Sequence, residues 1–426
     1  MKHQTRILVA GMLGNLVEAF DLALCGLLSV YLAKYLIGDV TKGLLIVFAT
    51  FFAGYLARPI GAIFMGLFSD IYGRKITLAA SILSMGISTT LIGFIPSSNS
   101  IGIASIACLL ILRIIQSFSC GAEYLNSSAY LIENAETSNK GYSGSWASFG
   151  TMAGLLVASL FSLIITYLIE CYPELGWAIW RIPFILALLG SSIGLYIRMF
   201  IPESKEYINY YANNTRPKLK NLCNQSLQYL FKYKSKCLYV FALSSLGVAT
   251  TFQIYIYGPT QAHIYGNFTD YQIIKSNIIS LMVLLCVFPI FGKLSDKVKR
   301  EGIIVAAIVG FLLLLQPFFY LLSYGTYNQF ILIQALISIP AGAYYATVPV
   351  MLAEMFPFNL RCTVLSLLYS TAASISAGLT PLLSLMLLRK TQSSISPPLV
   401  VIILVIFSFV TMWFKYAHDN KMIKLN

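Results

Sequence analysis

The chain has 426 residues, 58% hydrophobic and 11% charged, with a mean hydropathy of +0.77; a soluble domain carries roughly a quarter of its residues as charges, so an ordinary soluble fold is excluded. The net charge of +13 arises from 29 basic and 16 acidic residues. The basic ones sit in connectors between apolar runs and form no single patch, which argues against a nucleic-acid partner.

At about 20 apolar residues per bilayer crossing, the pattern predicts an all-α membrane protein with twelve spans. They lie near 7–33, 43–68, 76–95, 101–123, 145–169, 180–201, 237–262, 271–292, 302–323, 329–352, 362–388 and 397–416. The first span is too long for the apolar core of a secretion signal and carries two acids, so it is read as a mature helix. Those acids are Glu18 and Asp21, with Asn15 one turn earlier. Counted from Arg6 at ~1.5 Å per residue, they lie roughly 18–22 Å into a ~30 Å apolar layer. Their i, i+3 spacing places them on one face, which must point away from lipid. Two neighbouring carboxylates in a poorly hydrated site cannot both ionise cheaply, so one is expected to hold a proton near neutral pH, as proton coupling requires. A static packing cluster is the competing reading.

The second span ends in Gly66-Leu67-Phe68-Ser69-Asp70-Ile71-Tyr72-Gly73-Arg74-Lys75. In the fourth, Arg113 falls near mid-depth, where its guanidinium needs a carboxylate from Asp21, Glu18 or the substrate. Gln116 lies one turn on. Glu123 is expected near the end of that span, as a second titrating site or a loop contact. Trp146 and Phe149 mark the fifth span. The basic connector 202–236 then divides the chain into an N-terminal six-helix lobe (1–201), a linker, and a C-terminal six-helix lobe (237–426); its lysines suit orientation and attraction to anionic lipid. In the seventh span Phe252, Tyr255 and Tyr257 precede Gly258-Pro259, which is expected to break the helix. Aromatics beside a broken helix can line a substrate cavity, though in a chain that is 14% aromatic they also suit packing.

From Gly66 to Gly292, 226 residues on, the first charged loop recurs as Gly292-Lys293-Leu294-Ser295-Asp296-Lys297-Val298-Lys299-Arg300. Gly, Ser-Asp and Arg keep the same offsets, and an apolar run flanks each copy. A membrane chain whose halves repeat is most simply a two-lobed transporter with its substrate site between the lobes. Gly66, Asp70, Gly73, Arg74, Asp296 and Arg300 are the expected gating residues.

Basic residues set the orientation. Connectors on the side of the N-terminus hold Lys2, Arg6, Arg74, Lys75, Lys140, Arg198 and the lysines and arginine between Lys205 and Lys236, among others; the opposite side holds Lys34, Lys42, Arg181, Lys275, Arg389 and Lys390. Both termini are therefore expected in the cytoplasm. Eight cysteines form no CxxC pair and mostly lie in apolar spans, so free packing thiols are expected. With His3 and His418 flanking the membrane region and His263 near a helix end, no metal site is expected. Enzyme motifs are absent: Gly141-Tyr142-Ser143-Gly144-Ser145 misses G-x-S-x-G at its last position.

With these residues in place, the loop from Gly66 to Lys75 resembles the signature of the major facilitator superfamily between helices two and three. Within it the chain is similar to the metabolite:proton symporters, most of all their proline/glycine-betaine branch. Gly14-Asn15-Leu16-Val17-Glu18-Ala19-Phe20-Asp21 resembles G-N-x-x-E-W-[YF]-D, Arg58-Pro59-Ile60-Gly61 resembles R-P-[LI]-G, and Gln116-Ser117-Phe118-Ser119-Cys120-Gly121-Ala122-Glu123-Tyr124 resembles Q-G-F-S-x-G-G-E-[YW]. Gly144-Ser145-Trp146, Trp180-Arg181-Ile182-Pro183-Phe184 and Glu354-Met355-Phe356-Pro357 with Arg361 extend the match over nearly the whole chain. Ala19, Leu22, Cys25, Ser117, Ala122 and Lys299 depart from the pattern, partly along the expected cavity. The long C-terminal coiled coil of some betaine transporters does not follow the last span, so the resemblance carries no expectation about osmotic sensing.

The resemblance implies a multi-pass protein of the bacterial inner membrane, without cofactor and functional as a monomer, that imports a small zwitterionic osmolyte such as proline or glycine betaine with protons. From the depth and chemistry of the residues, proton coupling is expected through Glu18, Asp21, Arg113 and Glu123, and substrate contacts from Asn15, Arg113, Gln116, Trp146 and Tyr255. An organic acid such as 2-oxoglutarate, citrate or shikimate is the alternative cargo. An efflux antiporter is a rival of the same class, but Gly150-Thr151-Met152-Ala153-Gly154 lacks the proline usual in such a fifth helix. A transport-inactive membrane sensor is the rival from another class.

Overall fold

An apolar run inside a bilayer must satisfy its own backbone hydrogen bonds, and a helix does so within one segment. The computed structural model describes residues 2–200, 202–266 and 268–423, and these form helices joined by connectors. In the first lobe the spanning helices are α1 (Lys2–Leu27), α2 (Val40–Tyr72), α3 (Arg74–Phe94), α4 (Ala104–Glu133), α5 (Lys140–Cys171) and α6 (Ile182–Met199). Two helices of the connector follow, α7 (Lys205–Asn213) and α8 (Leu219–Lys232). The second lobe comprises α9 (Lys234–Tyr257), α10 (Asp270–Lys297), α11 (Arg300–Tyr324), α12 (Tyr327–Glu354), α13 (Arg361–Thr391) and α14 (Leu399–Ile423). Side chains such as Leu189, Ile193, Leu313, Ile403 and Trp413 are largely exposed, a surface that lipid rather than water must cover.

Several helices outrun the expected spans at the end bearing the termini. After a tight turn at Cys120–Ala122, α4 continues ten residues past Glu123 to Glu133. Glu123 and Arg198 therefore lie inside the bundle, not in a loop and a connector. Gly258-Pro259 does not break the seventh span. A wide π-helical turn at Gln253–Tyr257 passes directly into Gly258–Tyr265, and Pro259 stands in its first turn, where a missing N–H costs no hydrogen bond. Between α2 and α3 the chain reverses at one residue, Gly73, whose φ of 109° suits glycine.

Small residues let the helices approach. A Cβ on Gly61 or Gly121 would overlap the facing backbone of α4 or α2, and one on Gly150 or Gly154 the backbone of α1; close packing of this kind holds membrane helices together where no hydrophobic driving force acts. The lobes meet along two seams, α2 on α13 and α5 on α10. At the first, a Cβ on Gly66 would come within 2.7 Å of the Thr363 Cα. At the second, Gly141 and Gly292 fit against Ser295 and Ser145 respectively.

All eight cysteines are free; Cys25, Cys120, Cys237 and Cys362 are buried, while Cys108, Cys171 and Cys286 are exposed. The histidine side chains lie outside the described residues. Among the described residues no cluster of three His, Cys, Asp or Glu side chains could hold a metal.

Candidate functional site

Glu18, Asp21, Glu123, Arg58, Arg113 and Arg198 are all buried in the first lobe, and the fold sorts them differently from the simplest sequence pairing. Glu18 on α1 accepts from Arg58 Nη2 on α2 at 2.6 Å. The Arg58 guanidinium also lies over the Tyr55 ring, 5.5 Å from its centroid. Glu123 on α4 pairs with Arg198 on α6, and Ser81 on α3 donates to the same carboxylate. Arg198 also donates to the Leu78 carbonyl, and its guanidinium fills the space a side chain at Gly14 would need.

Asp21 and Arg113 remain, and among the described residues neither has a charged partner. Asp21 Oδ2 accepts from Thr89 Oγ1 at 3.0 Å, and its Oδ1 is buried without a hydrogen bond. Gln116 stands between the two. Its Nε2 donates to Thr89 Oγ1 at 2.7 Å and to the Asp21 carbonyl at 3.3 Å, while its Oε1 accepts from Arg113 Nη1 at 2.5 Å. Arg113 caps this chain over the Phe51 ring, 4.7 Å from the centroid. The expected pairing of Arg113 with Asp21 or Glu18 is thus replaced by a neutral relay, because Arg58 reaches Glu18 from α2. Thr89 has one proton for two acceptors, Asp21 Oδ2 and the Met85 carbonyl at 3.0 Å, so its hydroxyl can follow the charge on Asp21.

Asn15 ties α1 to α4 through Ser127 Oγ at 2.9 Å. Trp146 meets Phe149 in a tilted ring contact at 5.0 Å, and Tyr255 is buried in the second lobe against Ser338 Oγ at 2.9 Å. None of the three lines the cavity between the lobes. That cavity is walled by Tyr124, Ser148 and Thr151 of the first lobe and by Ser244, Thr251, Tyr344, Tyr345 and Tyr369 of the second, with aliphatic side chains between; no charged residue is among its lining. Ser244 Oγ is buried there without a partner. Tyr124 bonds Ser148 at 2.8 Å, Ser148 donates to the Tyr345 carbonyl at 2.7 Å, and the Tyr124 and Tyr369 rings meet across the lobes in a tilted contact with centroids 5.1 Å apart.

At the end of the bundle bearing the termini, the two repeated loops act reciprocally. Asp70 accepts from the Cys362 and Thr363 amides and the Thr363 hydroxyl at 3.3, 2.9 and 2.7 Å, at the start of α13. Asp296 accepts from the Gly141 and Tyr142 amides at 2.6 and 2.9 Å, at the start of α5. Each aspartate thus holds the positive end of a helix in the opposite lobe. Arg74 braces Asp70 at 3.2 Å and reaches Glu133; Arg300 braces Asp296 at 3.8 Å and reaches Glu354. Arg361 crosses back to Glu133 and Glu206, each at 3.0 Å.

Two family models divide the chain: "Sugar (and other) transporter" matches residues 9–225 and "Major Facilitator Superfamily" matches residues 243–422. The chain belongs to the major facilitator superfamily. Among its relatives in that superfamily are the glycine betaine/proline/ectoine/pipecolic acid transporter OusA of Dickeya dadantii, 29% identical over 98% of this chain and 84% of that protein, and the proline/betaine transporter of Escherichia coli K12, 29% identical over 95% and 82%. The proton:xylose symporter XylE shares the fold with a TM-score of 0.76 at 16% identity, covering 98% of this chain and 96% of that one. As a major facilitator protein the chain is a multi-pass membrane transporter, and the loops and seams described above are the ends and contacts of its two lobes.

Arg58 was visible in the sequence only as part of a family motif, since it stands beside Pro59 well along an apolar run. A depth count like the one applied to Glu18 and Arg113 would have placed it inside the membrane too. The cavity tyrosines carried no comparable signal in a chain with 27 tyrosines.

Proposed function

We propose that this transporter imports a small zwitterionic osmolyte, such as proline or glycine betaine, together with protons across a bacterial inner membrane. The observation that carries the reading is Asp21, a carboxyl buried at membrane depth with, among the described residues, no cation paired to it and one oxygen without a partner. Uncompensated charge there is costly, so a carboxyl that gains and loses a proton during the cycle suits the position. Its relay through Thr89 and Gln116 ends at Arg113, which can respond when Asp21 ionises. The cavity supports a cargo with no net charge. Tyrosine faces suit a cationic or methylated nitrogen at ~0.5–2 kcal/mol per contact, and the Ser244, Thr251 and Thr151 hydroxyls suit a carboxylate. The named cargo of the two bacterial relatives is of this class.

In this reading both termini and the 202–236 connector face the cytoplasm, residues 1–201 and 237–426 rock as lobes about the cavity, and a single copy suffices. The Asp70 and Asp296 contacts close the cytoplasmic end and release it as the cavity turns inward. Uptake of labelled betaine into vesicles reconstituted with the protein, with and without an acid-outside gradient, tests the proposal. Gradient-dependent uptake blocked by excess proline and betaine is expected. Inhibition by 2-oxoglutarate or citrate alone would assign the cargo to organic acids instead, a reading that the cation-free, acid-free setting of Arg113 would then explain.

A further inference from the structure

Helix α8 has three faces instead of two. Leu222 and Ser226 are buried, and Tyr229 is half-buried with its ring 5.8 Å from Phe356 at the end of α12. That face rests on the bundle. On the next face, at steps of four, come Leu219, Cys223, Leu227 and Phe231; Leu219, Leu227 and Phe231 are 56%, 47% and 70% exposed. The third face carries Asn221, Asn224, Gln225 and Gln228, all exposed. A helix with only a packed side and a watered side has no use for the second face.

Position and charge decide what covers it. α8 ends at Lys232, and the membrane-spanning α9 starts at Lys234 after a sharp turn at Tyr233, whose φ and ψ are −112° and 47°. The helix is therefore held at the level where spanning helices leave the apolar layer. Arg216, Lys218 and Lys220 stand at one end of it, and Lys232 and Lys234 at the other, while the connector has only Glu203 and Glu206 as acids. Lys234 lies over the Phe231 ring at 5.9 Å and Lys232 over the Tyr233 ring at 5.5 Å. An exposed apolar strip bracketed by cations, on a helix joined by a one-residue turn to the start of a spanning helix, is the pattern that enters the boundary between headgroups and acyl chains of an anionic leaflet.

We infer that α8 is an interfacial helix that docks on anionic phospholipid, with Leu219, Leu227 and Phe231 in the acyl region and Lys220, Lys232 and Lys234 at the phosphates. The lipid is thereby a specific partner of the segment joining the lobes, independent of the cargo or the driving ion.

A photoreactive benzoyl-phenylalanine placed at Phe231, and separately at Leu227 and Gln225, tests it in the full chain reconstituted in vesicles. With 30% phosphatidylglycerol in phosphatidylcholine, illumination should yield lipid adducts by mass spectrometry at 231 and 227, about ten-fold above those at 225. Pure phosphatidylcholine, or the K220Q/K232Q/K234Q variant in the mixed vesicles, should lower the yield at 231 about three-fold or more. Equal lipid adducts at all three positions, yields indifferent to phosphatidylglycerol, or crosslinks at 231 to a second copy of the chain would each overturn the inference. Because the readout is lipid capture, it stands or falls without regard to whether betaine is the cargo.

Discussion

Asp21 and Glu18 are one turn apart on α1, yet the structure gives them opposite surroundings: an arginine for Glu18, only a hydroxyl for Asp21. This difference predicts different phenotypes. D21N should abolish accumulation of substrate against its gradient while sparing exchange with preloaded substrate, because the amide mimics the protonated state permanently; accumulation by that variant would remove Asp21 from the coupling path. Arg58 and Arg198 predict stability effects instead. Removing one partner of a buried pair leaves an uncompensated charge and costs ~3–5 kcal/mol, so R198A should lower the thermal unfolding temperature of the detergent-solubilised protein markedly. R198A combined with E123Q should recover part of that loss, and a double variant no more stable than R198A alone would count against the pair as the cause.

At the scale of elements, the proposed gate is a carboxylate of one lobe on the first amides of a helix in the other. Such caps contribute roughly 0.5–2 kcal/mol, or about 2- to 30-fold in the balance between closed and open seams. D70N should therefore slow initial uptake rates by about that range while the protein stays folded and inserted, and D296N should do the same at the second seam. Unchanged rates in both would deny these contacts a gating role. Helix α7 adds a second layer at this end: Tyr207 and Tyr211 donate to the Ile71 and Asp70 carbonyls at 2.6 and 3.0 Å, and Glu206 meets Arg361. The connector is thus packed across both lobes rather than slung loosely between them.

For the whole molecule, the proposed orientation makes a firm prediction: a cysteine engineered near Asn213 should react with an impermeant thiol reagent only after cells are opened. Reaction in intact cells would invert the topology and, with it, the assignment of the closed end. The fold, the twelve spans and the repeated loops were legible because each rests on a local rule, the length of an apolar run or a motif between two of them. Span ends were less legible. α4 runs on to Glu133 because Ser127, Ser128 and Glu133 find partners or burial inside the bundle, which hydropathy counts as polar and therefore as loop.

Sequence alone determined that acids and arginines lie at membrane depth, since chain length and rise per residue set depth before any packing occurs. It also determined that the two halves repeat, and hence that Asp70 and Asp296 are equivalent. Which arginine meets which acid was decided only by the tertiary structure, because Glu18 and Arg58 are 40 residues apart and Glu123 and Arg198 are 75 apart. Those pairings depend on how α1, α2, α4 and α6 are turned about their axes. The same rotation selected the cavity wall: Tyr124 and Tyr369 meet across the lobes while Tyr255, equally aromatic, turns into its own lobe. A helix's hydropathy hardly registers its rotation when nearly every face is apolar, so that choice belongs to close packing of small residues and to the few polar groups that must find each other.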